Sequence, residues 1–192
     1  SDEQVRAFVA IELEGEVQTA LRTLHGRLKK APLAHLGRWV APESIHLTLK
    51  FLGDVPTARL TEVQAAIERA CQGVVPFEIA ISELGCFPNL QRPRVVWVGV
   101  EEPSGALRRL QSAVEQELAR LGFRPEGRGF KPHLTLARIR DQARSRERAQ
   151  LGAWIRQQAA PQRATMRVCR VSLMRSVLGP SGAVYTRLGE AP

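Results

Sequence analysis

The chain has 192 residues and carries 28 Lys and Arg against 19 Asp and Glu, which gives a formal net charge of +9 and a pI near 10.6. This excess favours a polyanionic partner such as RNA, DNA or an anionic membrane, although a basic solvated surface would give the same balance. No apolar run is long enough to cross a bilayer, and the three cysteines lack metal-ligand spacing, which argues against a disulfide framework and for a reducing cytoplasm.

The first half of the chain alternates between strand and helix patterns. Residues 5–13 alternate apolar and polar side chains, as in a half-buried strand, and the apolar spacing over 17–28 predicts a helix. A short extended piece, "GRWVAPES", precedes a strand over 44–53. Thr57 is a candidate N-cap for a second helix over 60–70.

The second half continues the same alternation. We predict strands over 75–87 and 92–100, a helix over 107–121 and a strand over 131–139. An arginine-rich loop then leads into a helix. Two late strands, "ATMRVCRVSLMRS" and "AVYTRLG", close the chain. The element order predicts one α+β domain over 1–192, with two lobes related by a pseudo-twofold axis.

Two of these strands carry the same four-residue core, His-Leu-Thr-Leu. The first is "SIHLTLKFLG" and the second is "KPHLTLARI". Because side chains alternate between the faces of a strand, His46 and Thr48 share one face, opposite a row of leucines. His133 and Thr135 share a face in the same way. If the two lobes face each other, both pairs converge on one cleft.

Two imidazoles in a cleft can perform acid–base chemistry near neutral pH. A neutral one takes a proton from the nucleophile and a protonated one donates to the leaving group. Threonine hydroxyls can donate hydrogen bonds to phosphate oxygens. The two histidines have no evident third ligand, which disfavours a zinc site. The pattern therefore predicts phosphodiester chemistry with no cofactor and no metal.

At these residues the sequence resembles the two-histidine (2H) phosphoesterase superfamily, and within it the bacterial and archaeal 2'-5' RNA ligase branch, also called RNA 2',3'-cyclic phosphodiesterases. The segments that carry the resemblance are "RAFVAIEL", "HLTLKFLG", "RVVWVGV", "FKPHLTLAR" and "SVLGPSGAVYTRL". The resemblance implies a bilobal α+β fold, in which two antiparallel sheets surround a central cleft and the helices lie outside.

The same resemblance implies metal-independent opening of a terminal 2',3'-cyclic phosphate to a 2'-phosphate. It assigns catalysis to His46 with Thr48 and to His133 with Thr135. The expected product makes His133 the base that activates water and His46 the acid that protonates the departing 3'-oxygen. The sequence does not orient the substrate, so the reverse assignment stays open.

Five further residues are candidates for substrate binding. Arg138 matches a family arginine that could clamp phosphate, but strict alternation puts it on the face opposite His133, so a bulge must redirect it. Lys50 alternates onto the His46 face, and Arg94 could reach RNA backbone; a solvated charge is the alternative for both. Phe8 could stack on a terminal base or pack in the core, and Tyr185 could bind substrate or close the last strand.

Several functions share these residues. A 2'-5' RNA ligase that joins tRNA half-molecules would use the same site, and a non-catalytic protein that binds RNA ends or an enzyme for small cyclic nucleotides are further alternatives. The expected partner is RNA with a 2',3'-cyclic phosphate end, with tRNA fragments as one candidate, and the expected state is a cytoplasmic monomer. The cluster predicted to hold the body of the RNA comprises Arg140, Arg144, Arg146 and Arg148.

Overall fold

The structure is a computed structural model that describes residues 3–180 and 182–192; Ser181, inside the last segment of the family resemblance, lies outside them. The described residues form four α-helices: α1 (Gly15–Leu28), α2 (Leu60–Cys71), α3 (Ala106–Ala119) and α4 (Ser145–Gln157). The strands of the same residues are β1 (Gln4–Glu12), β2 (Gly37–Trp39), β3 (His46–Pro56), β4 (Phe77–Phe87), β5 (Val95–Glu101), β6 (His133–Ile139), β7 (Thr165–Val168), β8 (Val171–Gly179) and β9 (Gly182–Ala191).

All the strand pairs described are antiparallel, and the order across the sheet is β7-β4-β5-β6-β3-β1-β8-β9, with β2 beside β6. This order is symmetric about its centre. β6 corresponds to β3, β5 to β1, β4 to β8 and β7 to β9. In each half a helix links the two inner strands, α1 between β1 and β3 and α3 between β5 and β6. The predicted α+β fold with a pseudo-twofold axis is confirmed.

The two expected sheets are the two halves of this one sheet. They are joined at the centre by a single residue pair, Leu47 of β3 with Leu134 of β6. Only Cys169 and Arg170 separate β7, at one edge, from β8, in the other half. Because so short a connection spans no more than about 10 Å, the sheet must curl until its two halves approach each other.

The helices cover one face of the sheet, and the main core lies between the two layers. In α1 the residues Val17, Leu21, Leu24 and Leu28 are buried, as their spacing predicted. They pack in one cluster with Leu47 and Leu134 from the centre of the sheet. Burial of each such side chain contributes about 1.5–3 kcal/mol relative to its exposure, so this face positions both central strands firmly.

Two sequence predictions about element limits are wrong. The segment "ATMRVCRVSLMRS" is two strands, because it breaks at Cys169 and Arg170 and its two parts pair with β4 and with β1. Thr57 is not the N-cap of α2. It begins a 3-10 turn, Thr57–Arg59, and the residue preceding the helix is Arg59, which provides no side-chain cap.

No helix in the described ranges is long and apolar enough to cross a membrane. The three cysteines are free, as expected. Cys71 and Cys86 are buried, which raises the pKa of their thiols to about 11 and about 12. Cys169 is exposed.

Candidate active site

The two His-Leu-Thr-Leu motifs lie side by side at the centre of the sheet. Leu47 pairs with Leu134, and both leucines point into the core. In an antiparallel ladder the adjacent residues then project from the other face, with His46 across from Thr135 and Thr48 across from His133. The structure therefore brings all four predicted residues to one face, and a regular ladder would separate the two histidines by about 7–8 Å as diagonal neighbours.

His133 is held by its own strand and by two aromatic rings. Its Nδ1 lies 2.7 Å from the Lys131 carbonyl oxygen. Because a carbonyl only accepts, Nδ1 carries a proton and Nε2 is the nitrogen left for chemistry. Phe87 and Trp97 contact the ring at centroid distances of 4.9 and 6.4 Å. Burial lowers the pKa of His133, the Lys131 hydrogen bond raises it and the Arg138 charge lowers it.

His46 has a similar aromatic setting in the other half. The rings of Tyr185 and Phe8 lie edge-on to it, at centroid distances of 5.2 and 5.7 Å. Burial holds the pKa of His46 below its ordinary value, although the Glu12 carboxylate and a hydrogen bond to the Ser44 backbone both act to raise it. Glu12 is the direct cross-strand partner of His46 on β1.

Similarity to known proteins identifies the family of this chain. A family model of the 2'-5' RNA ligase superfamily matches residues 17–180. The chain belongs to this superfamily. It is 38% identical to a protein of Methanothermobacter thermautotrophicus named RNA 2',3'-cyclic phosphodiesterase, over 95% of this chain and 96% of the relative. It is 32% identical to an Aquifex aeolicus protein of the same name, over 97% and 96%.

Solved structures agree with this assignment. A crystal structure of TT0787 from Thermus thermophilus is similar with a TM-score of 0.78 and 28% identity, over 97% of this chain and 96% of the other. The structure of Escherichia coli LigT complexed with 3'-AMP is similar with a TM-score of 0.76 and 27% identity, over 98% and 97%. The superfamily fold thus extends over almost the whole chain.

A β-bulge lies at the same place in both motifs of this superfamily member. On β3 the register slips at Leu49, since Val9 pairs with Lys50 but Ala10 pairs with Thr48. On β6 it slips at Leu136, between the pairs of Val96 and Trp97. A bulge puts two successive residues on one face and reverses the alternation beyond it. The residue five positions after each histidine is therefore turned to the histidine face.

Arg138 is one of the two residues that a bulge redirects. It pairs with Val95 on one side and with Arg38 of β2 on the other, and both arginines are exposed. Neither forms a salt bridge within residues 3–180 and 182–192. The bulge that the sequence required for Arg138 is present, and Arg38 is a neighbour that sequence reasoning missed.

The prediction for Lys50 is wrong. The bulge at Leu49 turns Lys50 into the core, where it is only 3% exposed. Its Nζ donates to the Glu115 carboxylate and to the Arg124 carbonyl oxygen, both at 2.9 Å. Lys50 therefore anchors α3 and the turn after it, and it does not face the histidines.

The exposed aromatic ring beside His46's half of the site is Phe51, and not the predicted Phe8. Phe8 is 5% exposed and packs against Ala10 and Met174, so its ring is not free to stack on a base. Phe51 is 62% exposed, and its ring centroid lies 6.1 Å from that of Phe8. Strict alternation would place Phe51 on the core face. The bulge at Leu49 redirects it, and the sequence gives no signal for that bulge.

The other predicted binding residues differ in their positions. Tyr185 contacts both Phe8 and His46 and belongs to the site. Arg94 is exposed just before β5, and its backbone bonds to Phe87 and Ile139. In the part of the chain that the structure describes, its side chain forms no hydrogen bond or salt bridge with either histidine.

The arginine-rich segment divides into two kinds of residue. Arg148 donates hydrogen bonds to the carbonyl oxygens of Pro93, Arg140 and Ala143, so it fastens the loop before α4. Arg140, Arg144 and Arg146 are exposed. The predicted basic surface therefore loses one member to a structural role and keeps three.

Within the described ranges, the Thr48 and Thr135 hydroxyls bond to no other protein group, which leaves them available to a ligand. In the same ranges, no three His, Cys, Asp or Glu side chains gather into a group that could hold a metal ion.

Proposed function

We propose that this chain is an RNA 2',3'-cyclic phosphodiesterase, which hydrolyses a terminal 2',3'-cyclic phosphate to a 2'-phosphate by acid–base catalysis between His46 and His133, without a metal. The observation that carries the proposal is the Leu47–Leu134 pair, since it aligns a His-Thr pair from each half on one face. The names of the Methanothermobacter and Aquifex relatives, which match over nearly their full length, support the same activity.

In the proposed reaction His133 removes a proton from water, and the water oxygen forms a bond to phosphorus. The bond from phosphorus to the 3'-oxygen breaks, and His46 gives its proton to that oxygen. The product carries the phosphate on the 2'-oxygen. Nδ1 of His133 is engaged with Lys131, so Nε2 is the atom that accepts the proton.

The remaining groups of the site bind the phosphate as negative charge grows on its oxygens. The hydroxyls of Thr48 and Thr135 donate hydrogen bonds to the non-bridging oxygens, and Arg138 adds a guanidinium that can donate two parallel bonds. Arg38 extends this charge to the neighbouring strand. Both halves contribute to the site, so we propose that the chain works as one bilobal domain.

The body of the RNA would run from this site across the exposed arginines Arg140, Arg144 and Arg146. Phosphate contacts of this kind provide affinity that falls steeply with salt concentration and carries no sequence information. The E. coli relative was crystallised with 3'-AMP, which supports a nucleotide end as the ligand of the cleft.

A second candidate is 2'-5' ligation, favoured by the superfamily to which the chain belongs. The same histidines would then act on the hydroxyl of a second RNA in place of water. The residues are identical for both reactions, so the choice depends on which nucleophile reaches the phosphorus.

The test is hydrolysis of a short RNA that ends in a 2',3'-cyclic phosphate, in excess EDTA, with resolution of 2'- from 3'-phosphate products. Wild type should form the 2'-phosphate. His46→Ala and His133→Ala should each lose about 10²–10⁴-fold in kcat, the usual contribution of one acid or base. His35→Ala, at an exposed histidine away from the motifs, is the matched control.

Full turnover by either motif variant would refute the acid–base assignment, and loss of turnover in EDTA would refute metal independence. An added RNA with a 5'-hydroxyl tests the second candidate. If the added RNA gives a joined product, and no hydrolysis occurs without the added RNA, ligation is favoured.

A further inference from the structure

The pseudo-twofold axis relates the two halves of the site position by position, and the symmetry fails at two places near the histidines. On β1 the residue paired with His46 is Glu12, whereas on β5 the residue paired with His133 is Gly99. Five positions after the histidines stand Phe51 in one half and Arg138 in the other. The halves therefore differ by a negative charge beside His46 and a positive charge beside His133.

Glu12 is held in place as a carboxylate. Its Oε2 accepts hydrogen bonds from Ser172 Oγ at 2.8 Å and from Arg187 Nε at 2.7 Å. Burial would raise the pKa of Glu12, but the bonds from Arg187 and Ser172 lower it, and the charge of His46 lowers it further. Glu12 is consequently ionised throughout the neutral pH range in which an imidazole titrates.

The other groups around His46 offset this charge only in part. Phe8 of β1 and Tyr185 of β9 contact its ring edge-on. Lys50, on its own strand, points into the core on the other side of the sheet. Arg187 is the group that offsets it, and its single charge is shared between Glu12 and Glu190.

The surroundings of His133 favour its neutral form. Gly99 has no side chain, and the space above it is filled by the Ser82 hydroxyl. Phe87 and Trp97 add apolar surface. Arg138 supplies positive charge, and Arg38 is paired with it on the next strand. The backbone hydrogen bonds do not distinguish the two rings, since His46 bonds to Ser44 as His133 bonds to Lys131.

We propose that Glu12, clamped by Ser172 and Arg187, is a positioning residue that favours the protonated form of His46 over that of His133, so that His46 enters the reaction as the general acid and His133 as the general base. A nearby carboxylate favours an imidazolium and a nearby guanidinium favours a neutral imidazole. Environments that separate two titratable groups in this way assign their roles. The inference rests on the proposed function for its chemistry, but the charge state of His46 can be measured without substrate.

The first experiment is an NMR titration of the histidine rings in the free protein. Wild-type His46 should hold its proton to a higher pH than His133 does. In Glu12→Gln, which keeps a hydrogen-bond acceptor for Arg187, the pKa of His46 should fall while that of His133 stays. In Arg187→Gln the carboxylate is left uncompensated, and the pKa of His46 should rise.

Glu14→Gln is the matched control, because Glu14 pairs with Arg170 just beyond β1 and is not a partner of His46. It should leave both titrations unchanged. The inference is overturned if His133 keeps its proton to a higher pH than His46, or if Glu12→Gln leaves His46 unmoved. The opposite expectations for Glu12→Gln and Arg187→Gln keep the test decisive if one variant does not fold.

The second experiment is the pH dependence of kcat/KM with the cyclic-phosphate RNA. The alkaline limb of the profile, which reports the essential acid, should move to lower pH in Glu12→Gln. At pH values above that limb, kcat/KM should fall on the order of tenfold. An acidic limb that moves instead would reverse the two roles. An inactive wild type would count against the proposed function alone, since the titrations stand independently.

Discussion

Phe51 and Arg138 occupy equivalent positions in the two halves, five residues after each histidine, and each reaches the cleft only because a bulge reverses the alternation of its strand. One is an exposed aromatic ring and the other a guanidinium. We propose that the pair divides recognition of a nucleotide end into an apolar contact in one half and a phosphate contact in the other. The place proposed for a terminal base is then the exposed ring of Phe51, which contacts Phe8.

We predict that Phe51→Ala weakens this contact. Stacking of a base on an aromatic ring contributes about 1–3 kcal/mol, so kcat/KM for the cyclic-phosphate RNA should fall about 5–150-fold. A substrate with an abasic terminal nucleotide should show a much smaller difference between variant and wild type. Val184→Ala, at an exposed apolar residue whose pairing puts it on the opposite face to Tyr185, is the control. Equal losses for both substrates would contradict stacking.

At the scale of elements, the bulge on β3 has a second effect, because it puts Lys50 into the core. There Lys50 links three elements, since it bonds to Glu115 of α3 and to the carbonyl of Arg124 beyond that helix. Lys50 is buried, and 15% of the Glu115 side chain is exposed. Such a pair fixes the positions of both side chains, because removal of either partner leaves a charge whose desolvation lowers the stability of the fold.

Lys50→Met should therefore act on stability. Removal of one partner leaves Glu115 uncompensated and should lower the free energy of unfolding by about 3–5 kcal/mol, measured by urea denaturation. The double variant Lys50→Met/Glu115→Leu should recover most of this loss. Below its unfolding temperature, Lys50→Met should keep a KM near that of wild type. A large rise in KM with unchanged stability would restore the substrate-binding interpretation of Lys50.

The same bulge explains where sequence reasoning succeeded and where it failed. The strands, the helices and the four motif residues follow from periodicity and from a repeated motif, which are local signals. A bulge is set by how two strands fit together, so it leaves no mark in one strand's pattern. A bulge was expected for Arg138, because the proposed phosphate contact required one. No bulge was expected on the strand that carries Lys50 and Phe51. Glu12 and Arg38 were missed because only strand register reveals a cross-strand neighbour.

At the scale of the whole molecule, protonation of the buried histidines opposes folding. Burial lowers the pKa of His25, His46 and His133 below the ordinary value of about 6.5. Near and below pH 6.5 the unfolded chain therefore binds more protons than the native one. The stability that neutral histidines contribute is complete above about pH 6.5 and is lost as pH falls through their native values.

The free protein should accordingly show a falling Tm as pH decreases below about 6.5. The double variant His46→Gln/His133→Gln should show a shallower decrease, since only His25 of the three remains. Thermal unfolding followed by circular dichroism over this range measures both slopes, with His35→Gln as the control for a surface histidine. Parallel curves for the double variant and wild type would show that the site histidines do not contribute.

The single bridge between Leu47 and Leu134 makes the join between the halves a pivot. Each half keeps its own ladder of several pairs, so the hydrogen bonds of the sheet resist a change in the angle between the halves least at this bridge. Rotation about a pivot displaces nearby atoms least. His46, His133 and both threonines flank it directly, whereas Phe51, Arg138 and the outlying arginines lie farther along the arms. If the halves rotate about this bridge, we expect the mouth of the cleft to widen for a bulkier RNA end while the four motif residues keep their spacing.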